Sequence, residues 1–203
     1  MKLDKLLEAK STNDIPQLGV DMSQYGERQL LGVHNGKNIH VRANNSDQNI
    51  WILDIDEVSF INGAVADKFK GSIKHKLFIT IRGWTAESHR GQGLITTMMS
   101  FMFMDQDYAL MCDDIISPSG RATWLKLCST LHVTHCYQVD RTHNQVLPID
   151  KQQMIANFNN SDDSVQYIIE DNYDYNQMIG GILPASVFKI PILCEKYDFT
   201  GLL

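Results

Sequence analysis

The sequence predicts a mixed α/β domain, and three observations carry that expectation. Turn-punctuated apolar runs fill residues 38 to 66, the β-rich run "KLFITIRGW" at 76 to 84 precedes a helical apolar face at 94 to 104, and strand-then-helix order repeats over 107 to 140. Strands joined by tight turns pair antiparallel, whereas strands separated by helices pair in parallel, so a sheet with a local parallel pair is expected. At 203 residues and 43% hydrophobic content, the chain can bury a substantial core as one domain with appended segments.

The elements follow in order. Residues 1 to 10 carry Leu3, Leu6 and Leu7 at helical spacing, which predicts a short amphipathic helix within an N-terminal extension of residues 1 to 37. The main domain is expected over 38 to 203, with antiparallel strands near 38 to 43, 49 to 55 and 57 to 66, since "NG" and "NNSD" are turn signals. After the strand ending at Trp84, Leu94, Ile95, Met98, Met99, Phe101 and Met102 form one apolar helix face, and the methionines from Met98 to Met104 read as core filling. "DYALMCDDII" reads as a strand, "SPSGRATWLKLCSTL" as a helix capped by Ser117 or Ser119 with Pro118 in its first turn, and "HVTHCYQVD" as a strand. Beyond residue 141 a short helix and an acidic loop are expected, with "SVQYII" and "VFKIPIL" as strands or as a docking surface for a second subunit or another protein.

Composition excludes several function classes. A formal charge of −6 argues against general nucleic-acid binding, and Lys68, Lys70, Lys74, His75 and Lys76 read as a solvated turn. No apolar run approaches the length of about 18 residues that spans a membrane, and the N-terminus lacks a signal-peptide pattern, so a cytoplasmic location is expected. Cys112, Cys128, Cys136 and Cys194 read as free thiols. Cys128, His132, His135 and Cys136 resemble zinc ligands, but four ligands within nine residues cannot readily surround one ion, so no metal is expected.

The stretch "SHRGQGL", residues 88 to 94, carries the functional signal. A helix N-terminus exposes unpaired N–H groups and partial positive charge, and glycine at 91 and 93 removes Cβ atoms that would hold an anion away. Arg90 and Gln92 can add donors at the rim. A dinucleotide fingerprint fails because position 96 is Thr, and a phosphate-binding G-K-[ST] ending is missing.

"WTAESHRGQGL" resembles the acyl-CoA signature of the GNAT superfamily of acyltransferases, Q/R-x-x-G-x-G/A after a strand. Gly91 and Gly93 fill the glycine positions and Arg90 the basic one, while Ser88 replaces Gln or Arg and Ile95 replaces a frequent glycine. "SPSGRATWLKL" is similar to the family's next helix, N-x-x-A-x-x-L-Y-x-K, with Ser117, Gly120 and Lys126 at the Asn, Ala and Lys positions. The resemblance covers about 49 to 140. It implies a mixed, mostly antiparallel sheet with a splayed parallel pair and helices on both faces. It also implies acetyl-CoA or another acyl-CoA as cofactor, its pantetheine arm on the backbone of Trp84 and Thr85 and its pyrophosphate on the N–H groups from His89 through Arg90, Gly91, Gln92 and Gly93 to Leu94, with Ser117 nearby. The strands would part beyond Thr85.

Transfer of an acyl group to an amine needs a base, and Glu87 and Asp113 are the candidates, with at most one of Asp113 and Asp114 facing inward at a strand end. His89 is a possible proton relay. The family's tyrosine acid is replaced by Trp124, whose indole donates hydrogen bonds but no proton near neutral pH. Two functions are therefore expected in competition: an N-acyltransferase acting on a small-molecule or protein amine, and a GNAT-like module without turnover, such as a phage structural or host-interaction protein.

Overall fold

The computed structural model describes residues 14–15, 20–66, 76–113, 117–140, 145–159 and 165–170. The expected helix at 1 to 10, the basic turn at 68 to 75, Asp114, the "VFKIPIL" segment and Cys194 fall outside these residues.

Period-two alternation sends one set of side chains to each face of a nine-stranded sheet. A two-residue pair, β1 (Asp14–Ile15) and β2 (Val20–Asp21), lies apart from it. The sheet's first half is β3 (Gln29–His34), β4 (Lys37–Ala43), β5 (Ile50–Ile55), β6 (Ser59–Ala66) and β7 (Lys76–Thr85), each antiparallel to the next. Asn35 and Gly36, with φ of 50° and 71°, make the tight β3–β4 turn that suits a hairpin. The sheet thus begins at Gln29, inside the stretch read as an extension.

Helix α1 (Leu94–Met104) then crosses over and returns the chain as β8 (Tyr108–Met111), parallel to β7. Helix α2 (Pro118–Thr130) leads to β9 (His135–Asp140) and β10 (Gln145–Pro148), and α3 (Lys151–Asn159) leads to β11 (Gln166–Glu170). Strand β11 is antiparallel to both neighbours, giving the order β10-β9-β11-β8-β7-β6-β5-β4-β3. The expected mostly antiparallel sheet with one parallel pair is what forms.

Among the described residues the three α-helices share one face, so helices on both faces are not found there. Met98, Phe101 and Met102 of α1, Trp124 and Leu127 of α2, and Met154 and Phe158 of α3 all pack with Leu53, Ile61, Phe78 and Leu110. The physical reason is in the strand pattern: Ile61, Val65 and Phe78 point to the helices, while Ala64, Leu77, Ile79 and Met111 form a second buried cluster on the opposite face. Met104, by contrast with the other α1 methionines, is 63% exposed. No described helix is long and apolar enough to cross a membrane.

Candidate functional site

The site begins where two strands part. The β7–β8 ladder ends at Ile79 opposite Met111, yet β7 continues to Thr85. The separation therefore starts before Thr80, not beyond Thr85 as expected. A bulge explains the difference: Asn62 pairs with Arg82 and Gly63 with Thr80, leaving Ile81 as an extra residue that bends β7. Side chains finish the end of β8, since the Thr80 hydroxyl donates to the Met111 carbonyl at 3.2 Å and the Gln166 amide to the Cys112 carbonyl at 3.3 Å.

Which β7 backbone groups face the gap follows from one hydrogen bond. The Ala86 N–H donates to the Val58 carbonyl at 2.8 Å, and antiparallel partners alternate between exchanging hydrogen bonds and not. Thr85 and Gly83 therefore direct their N–H and C=O groups away from β6, towards the gap, while those of Trp84 face β6. The Trp84 side chain lies on the face away from the helices, 5.8 Å from the Phe60 ring.

Gly83 also sets how closely α1 approaches. A Cβ there would stand 3.2 Å from Cδ1 of Ile95. The helix's first turn carries the bulk of Ile95, and the strand beneath it carries none.

At the corner, residues Glu87–His89 form one 3₁₀ turn in which the His89 and Arg90 N–H groups donate to the Ala86 and Glu87 carbonyls. Two of the expected anion-binding amides are thus engaged by the protein itself, and the free run narrows to Gly91, Gln92, Gly93 and Leu94. Gly93 is the N-cap of α1 in the left-handed conformation, φ 71°, with no side-chain cap. Gly91 has φ 79°, and a Cβ added there would meet nothing within 4 Å, so its bare Cα faces open space. The Lys126 ammonium of α2 lies 3.4 Å from where a Gly93 Cβ would be, which brings a cation to the uncapped helix start. Arg90 and Gln92 are exposed at the rim, with Arg90 Nε 3.4 Å from the Thr85 carbonyl. Geometry and charge fit a pyrophosphate group.

Ser117, expected near the cofactor, uses its hydroxyl to cap α2 by accepting the Gly120 N–H at 3.2 Å. Of the candidate bases, Glu87 is exposed on the corner, whereas Asp113 is half-buried immediately after β8, beside the gap. His89 shares a hydrogen bond with the Ser88 hydroxyl at 2.9 Å. Trp124 is 4% exposed and stacked on Phe158 in the helix-covered core. Cys128 and Cys136 are buried in that core, where desolvation pushes their thiols up to about 12 and about 11.

Sequence reading alone missed Gly83 beneath Ile95 and the place of Lys126 at the corner. Lys126 was legible only as a matched position in the helix pattern. No family model matches the chain, and no curated protein matches it.

Proposed function

We propose that the protein is an acyl-CoA-dependent N-acyltransferase, moving an acetyl or related acyl group to an amine. The observation that carries this reading is the track of β7 backbone turned away from β6 along the parted strands, ending at an uncapped, glycine-bare helix start with the Lys126 ammonium beside it. A mostly antiparallel sheet with one parallel pair supports this reading alongside the GNAT resemblance of "SHRGQGL".

In this reading Gly83 and Thr85 pair with the amides of the pantetheine arm as a neighbouring strand would. Gly91 to Leu94 and Lys126 hold the pyrophosphate. Bound there, the cofactor supplies an acyl group activated as a thioester. The amine nitrogen forms the new N–C bond to the thioester carbonyl, the C–S bond breaks, and thiolate leaves. Asp113, at the gap, takes the proton released by the attacking nitrogen, a role for which the exposed Glu87 is less suited. The thiolate recovers its proton from water, since Trp124 is sealed in the core.

A second reading rests on that same Trp124: a module that binds acyl-CoA without turnover. Calorimetric titration with acetyl-CoA, followed by thiol release in the presence of amines, separates the two. Binding with thiol release supports the enzyme, and binding alone supports the module. Absence of binding removes both. Gly91→Leu should abolish binding while thermal unfolding shows a folded protein; unchanged affinity would overturn the cradle.

A further inference from the structure

The two ends of the nine-stranded sheet are built differently. At one end β10 is four residues long and closes on Pro148, which offers no N–H to a further strand. At the other end β3 is the last strand among the described residues, and it reads Gln-Leu-Leu-Gly-Val-His, with no lysine, acid or proline to turn another strand away. Its Leu30 and Val33 side chains are 60% and 57% exposed.

The backbone of β3 decides what this edge can do. The Asn44 N–H donates to the Ile50 carbonyl at 2.8 Å, and counting back along β4 by twos places the hydrogen bonds of Arg42 and His40 towards β5 as well. Ile39 and Val41 therefore exchange hydrogen bonds with their β3 partners Gly32 and Gln29, and Lys37 does so with His34 across the two-residue turn. Leu30 and Val33, opposite His40 and Asn38, are left with N–H and C=O groups directed away from the sheet. They are three residues apart in the chain. The bulge at Leu31 nevertheless sets them opposite residues only two apart on β4, the interval at which outward-facing positions recur along an antiparallel strand.

The same bulge sorts the side chains. Leu31 packs on the helix-side core and Gly32 lies against the Phe101 ring, so both point to the helices, whereas Leu30 and Val33 share the other face with His40 and Asn38. A second β3 laid antiparallel about a two-fold axis between Leu31 and Gly32 puts Leu30 opposite Val33 twice on one face, and Leu31 opposite the bare Gly32 twice on the other. The outer pairs are Gln29 with His34, so no charge of one sign meets its like. Met104, 63% exposed beside the Asp105 that holds His34, adds apolar surface on the helix side of the same edge. The edge is complementary to itself in hydrogen bonding, side-chain size and charge, which is what an isologous contact requires.

We propose that β3 pairs with β3 of a second copy of this chain, Leu30 of each opposite Val33 of the other, so that one sheet runs through a two-fold dimer. The proposal does not depend on acyl-CoA binding. Six residues a side make a small interface, so association in the micromolar range is expected.

The test is sedimentation equilibrium of the full chain from about 1 µM to about 200 µM, a span that brackets a weak interface. A monomer–dimer equilibrium is expected, and Val33→Lys, which sets an ammonium opposite Leu30 in both pairs, should raise the dimer Kd at least about tenfold while circular dichroism and thermal unfolding stay unchanged. Register is tested separately by mixing Leu30→Cys with Val33→Cys under glutathione disulfide. Opposed Cα atoms of a hydrogen-bonded pair are about 5.5 Å apart, within disulfide reach, whereas the new cysteines of either variant alone are diagonal, about 7–8 Å apart. The mixture should therefore cross-link, and each variant alone should show only the background of the native thiols. A monomer at every concentration, a dimer that Val33→Lys leaves intact, or a mixture that cross-links no better than its components would each overturn the proposal.

Discussion

Lys126→Gln tests the phosphate half of the site quantitatively. The ammonium lies 3.4 Å from the position of a Gly93 Cβ, so a phosphate on the Gly93 and Leu94 amides would be about 4–5 Å from it. Two unit charges at that separation interact by about 0.9 kcal/mol at the dielectric of water and about 3.7 kcal/mol at an effective value of 20. Lys126 is exposed, which favours the lower figure. The variant should therefore lose about 1–2 kcal/mol, or about 5- to 30-fold in Kd for coenzyme A by calorimetry. Pantetheine, which has no pyrophosphate, should bind both proteins equally. The difference for coenzyme A should shrink as salt rises from about 0.01 M to 1 M, where the Debye length falls from about 30 Å to about 3 Å. Equal coenzyme A affinities at low salt, or an equal loss with pantetheine, would refute the placement of the phosphates at this corner.

Other consequences concern stability. Gly63→Ala would put a Cβ 2.7 Å from Cε2 of Phe78 and 2.8 Å from the Ile79 carbonyl, so urea unfolding should show a loss of about 1–3 kcal/mol, partly recovered by adding Phe78→Leu. Arg28→Ala would leave fully buried Asp54 without the guanidinium that holds it at 2.6 and 3.0 Å; with Arg28 27% exposed, a loss of about 2–3 kcal/mol is expected in the same assay. Raised thiols keep Cys128 and Cys136 protonated in the fold, so their contribution is complete below the ordinary value of 9.0 and is lost as pH rises through about 12 for Cys128 and about 11 for Cys136. Between pH 9 and 11 the stability of the native protein should fall more steeply than that of Cys128→Ala, by about 1.4 kcal/mol per pH unit at most.

Local signals were legible in the sequence and lateral ones were not. Ser117 and Pro118 announced the start of α2, and the spacing of Leu94, Met98 and Met102 announced the buried face of α1, because both signals sit within a few residues of what they specify. Strand β3 was missed: "QLLGVH" leaves Leu30 60% and Val33 57% exposed on a sheet edge, so it lacks the polar alternation that marks a strand with one wet face. The parting of β7 from β8 was placed too late because a bulge at Ile81 depends on pairing with β6, which no single segment encodes. The expected run of amides from His89 to Leu94 lost its first two members to a 3₁₀ turn that residues Glu87–His89 form on their own.

The departures from the family pattern bear unequally on binding and on chemistry. Ile95 in place of glycine would push a helix off its strand, yet Gly83 beneath it restores the close approach, so the helix start still reaches the open backbone of β7. Ser88 in place of a long polar residue leaves a rim position short of a donor, but Lys126 brings a charge to the same corner from another helix. Both departures touch a binding track made mainly of backbone, and a neighbouring element compensates each. Trp124 differs, because a stacked indole in a dry core cannot be exchanged for an acid by moving a neighbour. On the acyltransferase reading, cofactor binding and proton delivery are therefore separable: the first rests on bare amides, the second on water at the parted strands, which has to protonate the leaving thiolate without a phenol.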